Sequence, residues 1–195
     1  MKKIETSIPG VIILEPCVFG DNRGWFSESW NEKTLHELGI DVHFVQDNES
    51  FSRRGVLRGL HFQKGDAAQA KLVRVLAGEV LDVAVDIRVG SPTFSQHVAV
   101  RLSADNHRQL FIPKGFAHGF VVLSETAHFA YKCDAFYAPV AEGSVNALDL
   151  ELGIDWLVPD AERVFSNKDL AAPSFSAYCA DPAFFYDEDS KGGDE

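Results

Sequence analysis

Residues 71–87 read KLVRVLAGEVLDVAVDI. Two runs of apolar and β-branched residues, 71–76 and 79–87, are separated only by Ala77-Gly78, which leaves room for nothing but a tight turn between paired strands. The same pattern continues through HVAVRL (97–102), QLFI (109–112), HGFVVL (118–123) and AHFAYK (127–132), with Val-Gly-Ser-Pro, Ser-Ala-Asp-Asn and Pro-Lys-Gly turns along the way. Short strands at this spacing, with no helices between them, predict an antiparallel sandwich or barrel. A jelly roll closes such sheets without leaving long edges. The expected fold class is therefore all-β, a jelly roll with a few short helices.

Outside the strand run, one stretch reads as a helix. Asn31 is a cap for Glu32 to Leu38, and Gly39 stands where a left-handed residue ends a helix. Beyond Pro139 the chain is rich in loops, with Trp156, Phe165 and Phe175 available to pin them. Residues 1–185 are expected to form a single domain, and 186–195 an acidic, disordered tail.

Composition narrows the function. The chain has 195 residues, 46% of them hydrophobic, enough for one well-buried core. A formal net charge of −11 disfavours nucleic-acid partners. Any anionic ligand must be met by a local gathering of Arg and Lys against a repulsive field. No apolar run approaches the ~18 residues that a membrane span needs, and no apolar stretch follows the first lysines. The three cysteines, Cys17, Cys133 and Cys179, are odd in number and contain no CxxC pair, which suits a reducing cytoplasm.

Two stretches carry chemistry. IPKGFAHGF (112–120) turns through Pro and Gly and delivers His118 at the start of a strand, similar to the second half-motif of cupin jelly rolls. GVLRGLHFQ (55–63) stands where metal-binding cupins place His-x-His, but here the sequence is His61-Phe62-Gln63. With two histidines and no clear third ligand, no metal is expected. A metal-free histidine is still a good base near neutral pH. With Arg58, Lys71 and His118 expected as neighbours, His61 is read as part of a cavity rather than of an apolar core.

The blocks Asp21-Asn22-Arg23-Gly24-Trp25-Phe26-Ser27-Glu28, Gln46-Asp47-Asn48-Glu49-Ser50, Arg58 to Gln63, Gln69 to Val73 and Tyr131-Lys132-Cys133 together resemble the dTDP-4-dehydrorhamnose 3,5-epimerase family. The match runs from about Pro9 to Pro173. The resemblance implies a cofactor-free jelly-roll homodimer acting on the carbons that flank a ketone in a nucleotide-linked 4-keto-6-deoxyhexose. It assigns His61 as base, Asp169 as its carboxylate partner and Tyr131 as the acid on the opposite face. Lys71 and His118 fall near the developing oxyanion, and Arg23 and Arg58 at the diphosphate. Phe26 and Glu28 meet the base, Tyr137 lies along the nucleotide or sugar, and Gln46, Asn48, Glu142 and Lys168 complete the polar set. The segment with Arg23 to Glu28 is expected to reach into the partner's site. Residues 145–150, Val-Asn-Ala-Leu-Asp-Leu, depart from the family pattern beside the site. A single-carbon epimerase, a ketoisomerase, and a metal-dependent or purely binding cupin are the competing readings.

Overall fold

In the computed structural model, which describes residues 1–187, strands begin well before the run that declares them. They are β1 (Lys2–Glu5), β2 (Ile12–Glu15), β3 (Phe19–Asp21), β4 (Gly24–Phe26), β5 (Gln46–Arg53) and β6 (Leu57–Gln63). The run itself supplies β7 (Lys71–Ala77), β8 (Glu79–Asp86), β9 (Arg88–Val89), β10 (His97–Ser103), β11 (Gln109–Ile112), β12 (Phe116–Val122) and β13 (Thr126–Cys133). The short β14 (Glu142–Ser144) and β15 (Phe184–Phe185) follow. The helices α1 (Glu32–Glu37), α2 (Asn167–Leu170) and α3 (Phe175–Ala180) are one or two turns each.

All six strands expected between 71 and 132 form. A six-stranded sheet in the order β1-β2-β11-β7-β13-β5 faces a five-stranded sheet in the order β10-β8-β12-β6-β14, and every pairing within the two is antiparallel. This is the jelly roll. The expected helix is also present, with Asn31 Oδ1 accepting from Thr34 N at 3.3 Å and Gly39 at φ +78°.

Three apolar layers hold the sheets. Between them lie Val73, Val75, Leu110 and Phe129 from one side and Val80, Ala84, Val100, Phe116 and Phe120 from the other. The outer face of the five-stranded sheet, with Leu60, Phe62, Leu81, Val83 and Val85, is covered by the chain after β14 through Trp156, Val158, Phe175 and Tyr178. Trp156 is 1% exposed and donates from Nε1 to Ala147 O at 2.8 Å, so it pins the loop-rich region as expected. Leu35 and Ile40 cover Ile12, Leu14, Leu72 and Phe111 on the six-stranded sheet. Because β8 is covered on both faces, it reads as nearly continuous apolar sequence rather than alternation. Of the expected tail, Tyr186 is bonded to β9, its N–H donating to Val89 O at 2.9 Å; residues 188–195 lie outside the described residues.

One irregularity positions the site. Between the pairs His118↔His61 and Phe120↔Arg58, β12 spends one residue, Gly119, while β6 spends two, Gly59 and Leu60. That is a bulge in β6. Arg58 and His61, three residues apart, would fall on opposite faces of a regular strand. The bulge turns both inward, while Leu57, Leu60 and Phe62 all face the outer layer. The two glycines make it possible: Gly59 has φ +123°, and a Cβ on it would stand 2.6 Å from the Cα of Gly119. A Cβ on Gly119 would meet Arg58 O at 2.7 Å.

Gly119→Ala should therefore lower stability by about 1–3 kcal/mol, the usual cost of overpacking a closed interior. Urea denaturation measures it. Wild-type stability with wild-type activity would show that the two backbones have room to separate.

Candidate active site

The jelly roll is apolar at one end of its interior and polar at the other. At the polar end a cavity of about 390 Å³ is lined by Arg58, His61, Lys71, His118, Tyr131, Ser166, Lys168 and Asp169, with Phe120 and Phe129 beneath. Seven of the residues singled out from the sequence are among these. They come from β6, β7, β12, β13 and the α2 turn, so only the closed sheet brings them together.

His61 Nε2 lies 2.6 Å from Asp169 Oδ1. With Nε2 donating to the carboxylate, the imidazole keeps its lone pair on Nδ1. Asp169 is itself fixed by the N-cap of α2: Ser166 Oγ donates to Asp169 Oδ2 at 2.6 Å, and Asp169 N donates back to Ser166 Oγ at 3.1 Å. Burial pushes the Asp169 carboxyl up, but the Ser166 hydrogen bond and the His61 imidazole outweigh it, and the net shift is downward. Burial also holds His61 below the ordinary imidazole value, with Asp169 opposing that shift by favouring the charged form. The resting pair at neutral pH is thus an uncharged imidazole beside a carboxylate.

Across the cavity, burial raises the Tyr131 phenol above its usual value, so it stays protonated. Lys71 is lowered by burial, with Cys133, Asp82 and Glu142 opposing. The neighbouring Cys133 thiol is pushed up to about 11 by burial, which keeps it from acting as a nucleophile. Arg58 is steered into the cavity by Ser52 of β5, whose hydroxyl accepts from Nε at 3.2 Å and Nη2 at 3.1 Å.

Sequence reasoning missed three supports. Ser166 was readable, because Ser-Asn-Lys-Asp at 166–169 has the spacing of a capping box. Asp82 was hidden in an apolar run. It is 0% exposed and accepts from His118 Nε2 at 3.0–3.1 Å, which makes a second His–Asp pair on the cavity floor. Ser52 sits in a strand of polar sequence and gave no signal.

Other expected residues stand at the rim or away from it. Glu142 accepts from Tyr137 Oη at 3.1 Å and from Lys168 Nζ, which links the mouth to α2. Gln46 Nε2 donates to Asn48 Oδ1 at 3.0 Å, and Asn48 Nδ2 reaches Cys133 Sγ at 3.8 Å. Arg23 and Phe26 belong to the β3–β4 hairpin, outside the cavity lining, where Arg23 pairs with Asp21. Glu28, just beyond, accepts from Asn31 Nδ2 at 3.1 Å. In this hairpin Phe19, Trp25 and Phe26 are each about two-thirds exposed, at 66%, 64% and 69%. Among the described residues no group of three or more His, Cys, Asp or Glu is arranged to hold a metal ion. No helix among them is long and apolar enough to cross a membrane.

A closed jelly roll with this polar mouth has the architecture of a cupin-type protein. The model of the dTDP-4-dehydrorhamnose 3,5-epimerase family matches residues 5–177. The dTDP-4-dehydrorhamnose 3,5-epimerase of Salmonella typhimurium is 59% identical over 171 residues, 87% of this chain and 93% of the relative. A Legionella pneumophila dTDP-6-deoxy-D-glucose-3,5-epimerase, solved with dTDP-4-keto-L-rhamnose, superposes with a TM-score of 0.91 at 52% identity. It covers 95% of this chain and 98% of its own. A 3'-monoepimerase from Streptomyces bikiniensis, in complex with dTDP-quinovose, is more distant, at 35% identity and a TM-score of 0.83 over 90% and 88% of the two chains. This chain belongs to the dTDP-4-dehydrorhamnose 3,5-epimerase family, and it is an isomerase.

The His61–Asp169 pair sets a pH dependence. Because the imidazole lies below its ordinary pKa of ~6.5, the base form persists through neutral pH and kcat/KM should fall only below that value. Asp169→Asn removes the charge that favours imidazolium, so the acid limb should move to still lower pH while the plateau drops by about 10²-fold. A limb moving upward, or an unchanged plateau, would contradict the pairing.

Proposed function

We propose that the chain epimerises carbons 3 and 5 of dTDP-4-keto-6-deoxyglucose by proton transfer, without metal or cofactor, to give the dTDP-4-keto-rhamnose product. The ketone at carbon 4 acidifies the protons on both neighbours. Inverting either centre requires a base on one face, an acid on the other and a stabilised enolate between. His61, with Asp169 behind it, takes the proton through Nδ1. Tyr131, kept protonated by burial, returns one from the opposite face. Lys71 and His118 hold the developing oxyanion, where fixed donors in a closed site act most strongly. Arg58 meets the diphosphate with its guanidinium fork, and Lys168, Glu142, Tyr137, Gln46 and Asn48 form the surrounding polar rim.

The observation that carries this reading is the 2.6 Å His61–Asp169 pair in one cavity with Tyr131 and Lys71. A protein that only binds its ligand has no use for a paired base and an opposing acid. Identity of 59% to a 3,5-epimerase, against 35% to a single-carbon enzyme, favours inversion at both centres.

In this proposal residues 1–185 act as one domain, and the working unit is a homodimer in which the β3–β4 hairpin of each subunit completes the other's site with Arg23, Phe26 and Glu28. The exposed Phe19, Trp25 and Phe26 support it, since apolar groups gathered on a small hairpin mark an interface. The cytoplasm is the assigned compartment, supported by the unpaired Cys17, Cys133 and Cys179.

Incubation with dTDP-4-keto-6-deoxyglucose in deuterated water tests the function directly. Deuterium should enter at both carbons 3 and 5 with formation of the rhamno product. Exchange at one carbon alone would make the protein a single-carbon epimerase, and no exchange would sink the reading. In the same assay Arg23→Ala and His61→Ala proteins, mixed after subunit exchange, should recover activity that neither has alone; no recovery would refute the shared site.

A further inference from the structure

Three glutamine side chains hold four consecutive residues of the segment that follows β13. Gln69 Nε2 donates to Ala135 O at 2.8 Å, and Gln63 Nε2 donates to Phe136 O at 3.3 Å. Gln46 Oε1 accepts from Tyr137 N at 2.9 Å, and Gln63 Oε1 accepts from Ala138 N at 2.7 Å. Just upstream, Asp134 Oδ1 accepts from Ala70 N at 2.7 Å, so the chain is also tied down where it enters the strap.

Gln63 is the centre of this arrangement. It is 4% exposed, it donates a further bond to Ala67 O at 2.9 Å, and its backbone pairs with Glu142. Two residues beyond His61 on β6, it shares that residue's inward face. The chemistry of the position selects an amide. The strap offers a carbonyl at 136 and an N–H at 138, and only a group that donates and accepts at once satisfies both. A carboxylate would set a charge against two carbonyl oxygens. An imidazole, which metal-binding cupins carry here, could not bridge the two strap groups while still reaching Ala67 O.

We propose that Gln63 is a positioning residue for substrate binding: through the 135–138 strap it fixes Tyr137 and Glu142 at the cavity mouth. The inference rests on the nucleotide-sugar reading above, because it takes the mouth as the place where that substrate is held. A loop on a protein surface ordinarily samples many conformations. Here its backbone groups are satisfied by neutral amides, so the rim is preorganised without adding charge to a cavity whose proton chemistry depends on His61 and Tyr131.

The test compares Gln63→Ala with Gln63→Glu, which keeps the volume and the acceptor for Ala138 N but loses the donors to Phe136 O and Ala67 O. Both should raise KM for dTDP-4-keto-6-deoxyglucose by about tenfold, the scale expected for the loss of one or two buried hydrogen bonds. Deuterium exchange at saturating substrate should stay within about twofold of wild type, the signature of lost binding rather than lost chemistry. Limited proteolysis without substrate should cut the 135–141 segment faster in both variants. An unchanged KM with unchanged proteolysis in Gln63→Glu would overturn the proposal, even if Gln63→Ala fails to fold. A fall in kcat at constant KM would also overturn it, by placing Gln63 in the chemistry beside His61. Failure of the wild type to turn over this substrate would count against the functional reading instead, and the proteolysis result would still decide whether Gln63 holds the strap.

Discussion

The close approach of Gly59 and Gly119 is the constraint on which the site depends. A strand delivers side chains alternately to two faces, and β6 must keep Leu57, Leu60 and Phe62 on the outer apolar layer. A regular strand that did so could not also present both Arg58 and His61 to the cavity. One extra residue on β6 resolves the conflict, and that residue fits only because neither chain carries a Cβ where the backbones meet. The placement of Arg58 and His61 in one cavity is thus set by one packing requirement.

Placing charges inside a jelly roll is costly unless each has a partner. The arrangement here pairs them in depth. His118 is bonded to the fully buried Asp82, His61 to Asp169, and Asp169 to Ser166. Lys71 loses stability as a cation through burial and regains part of it from the nearby carboxylates. The two cavity histidines and Arg58 are therefore each backed by a residue behind them: Asp169, Asp82 and Ser52. In the proposed reaction, this backing is what keeps these three side chains in place as charge moves.

The second half of the β-sandwich was legible because β7 to β13 carry apolar runs and sharp turns. The first half was not. β5, Gln46–Arg53, reads QDNESFSR: its inward face contributes to a polar cavity and its outward face meets solvent, so hydrophobic alternation has nothing to record. β6 was obscured by its own bulge, which breaks the period at Gly59. The helix at Glu32–Glu37 was readable because Asn31 and Gly39 mark its ends chemically. Among site residues, the motifs and turn pattern pointed to His61 and His118, with Arg58 and Lys71 as neighbours, and the family resemblance supplied Asp169 and Tyr131. Asp82 could not be found by pattern, since a single carboxylate within EVLDVAVD looks like an interruption until the opposite strand places His118 against it.

The central claim is that His61 starts the reaction and Tyr131 completes it from the other face. Deuterium wash-in and epimerisation, followed together by NMR on recovered sugar nucleotide, separate the two roles. His61→Asn should abolish both, because no enolate forms. Tyr131→Phe should lose epimerisation by about 10²-fold or more while His61 continues to exchange protons on the original face. Exchange at the wild-type rate in His61→Asn would contradict the assignment and transfer the role of base to another group in the cavity.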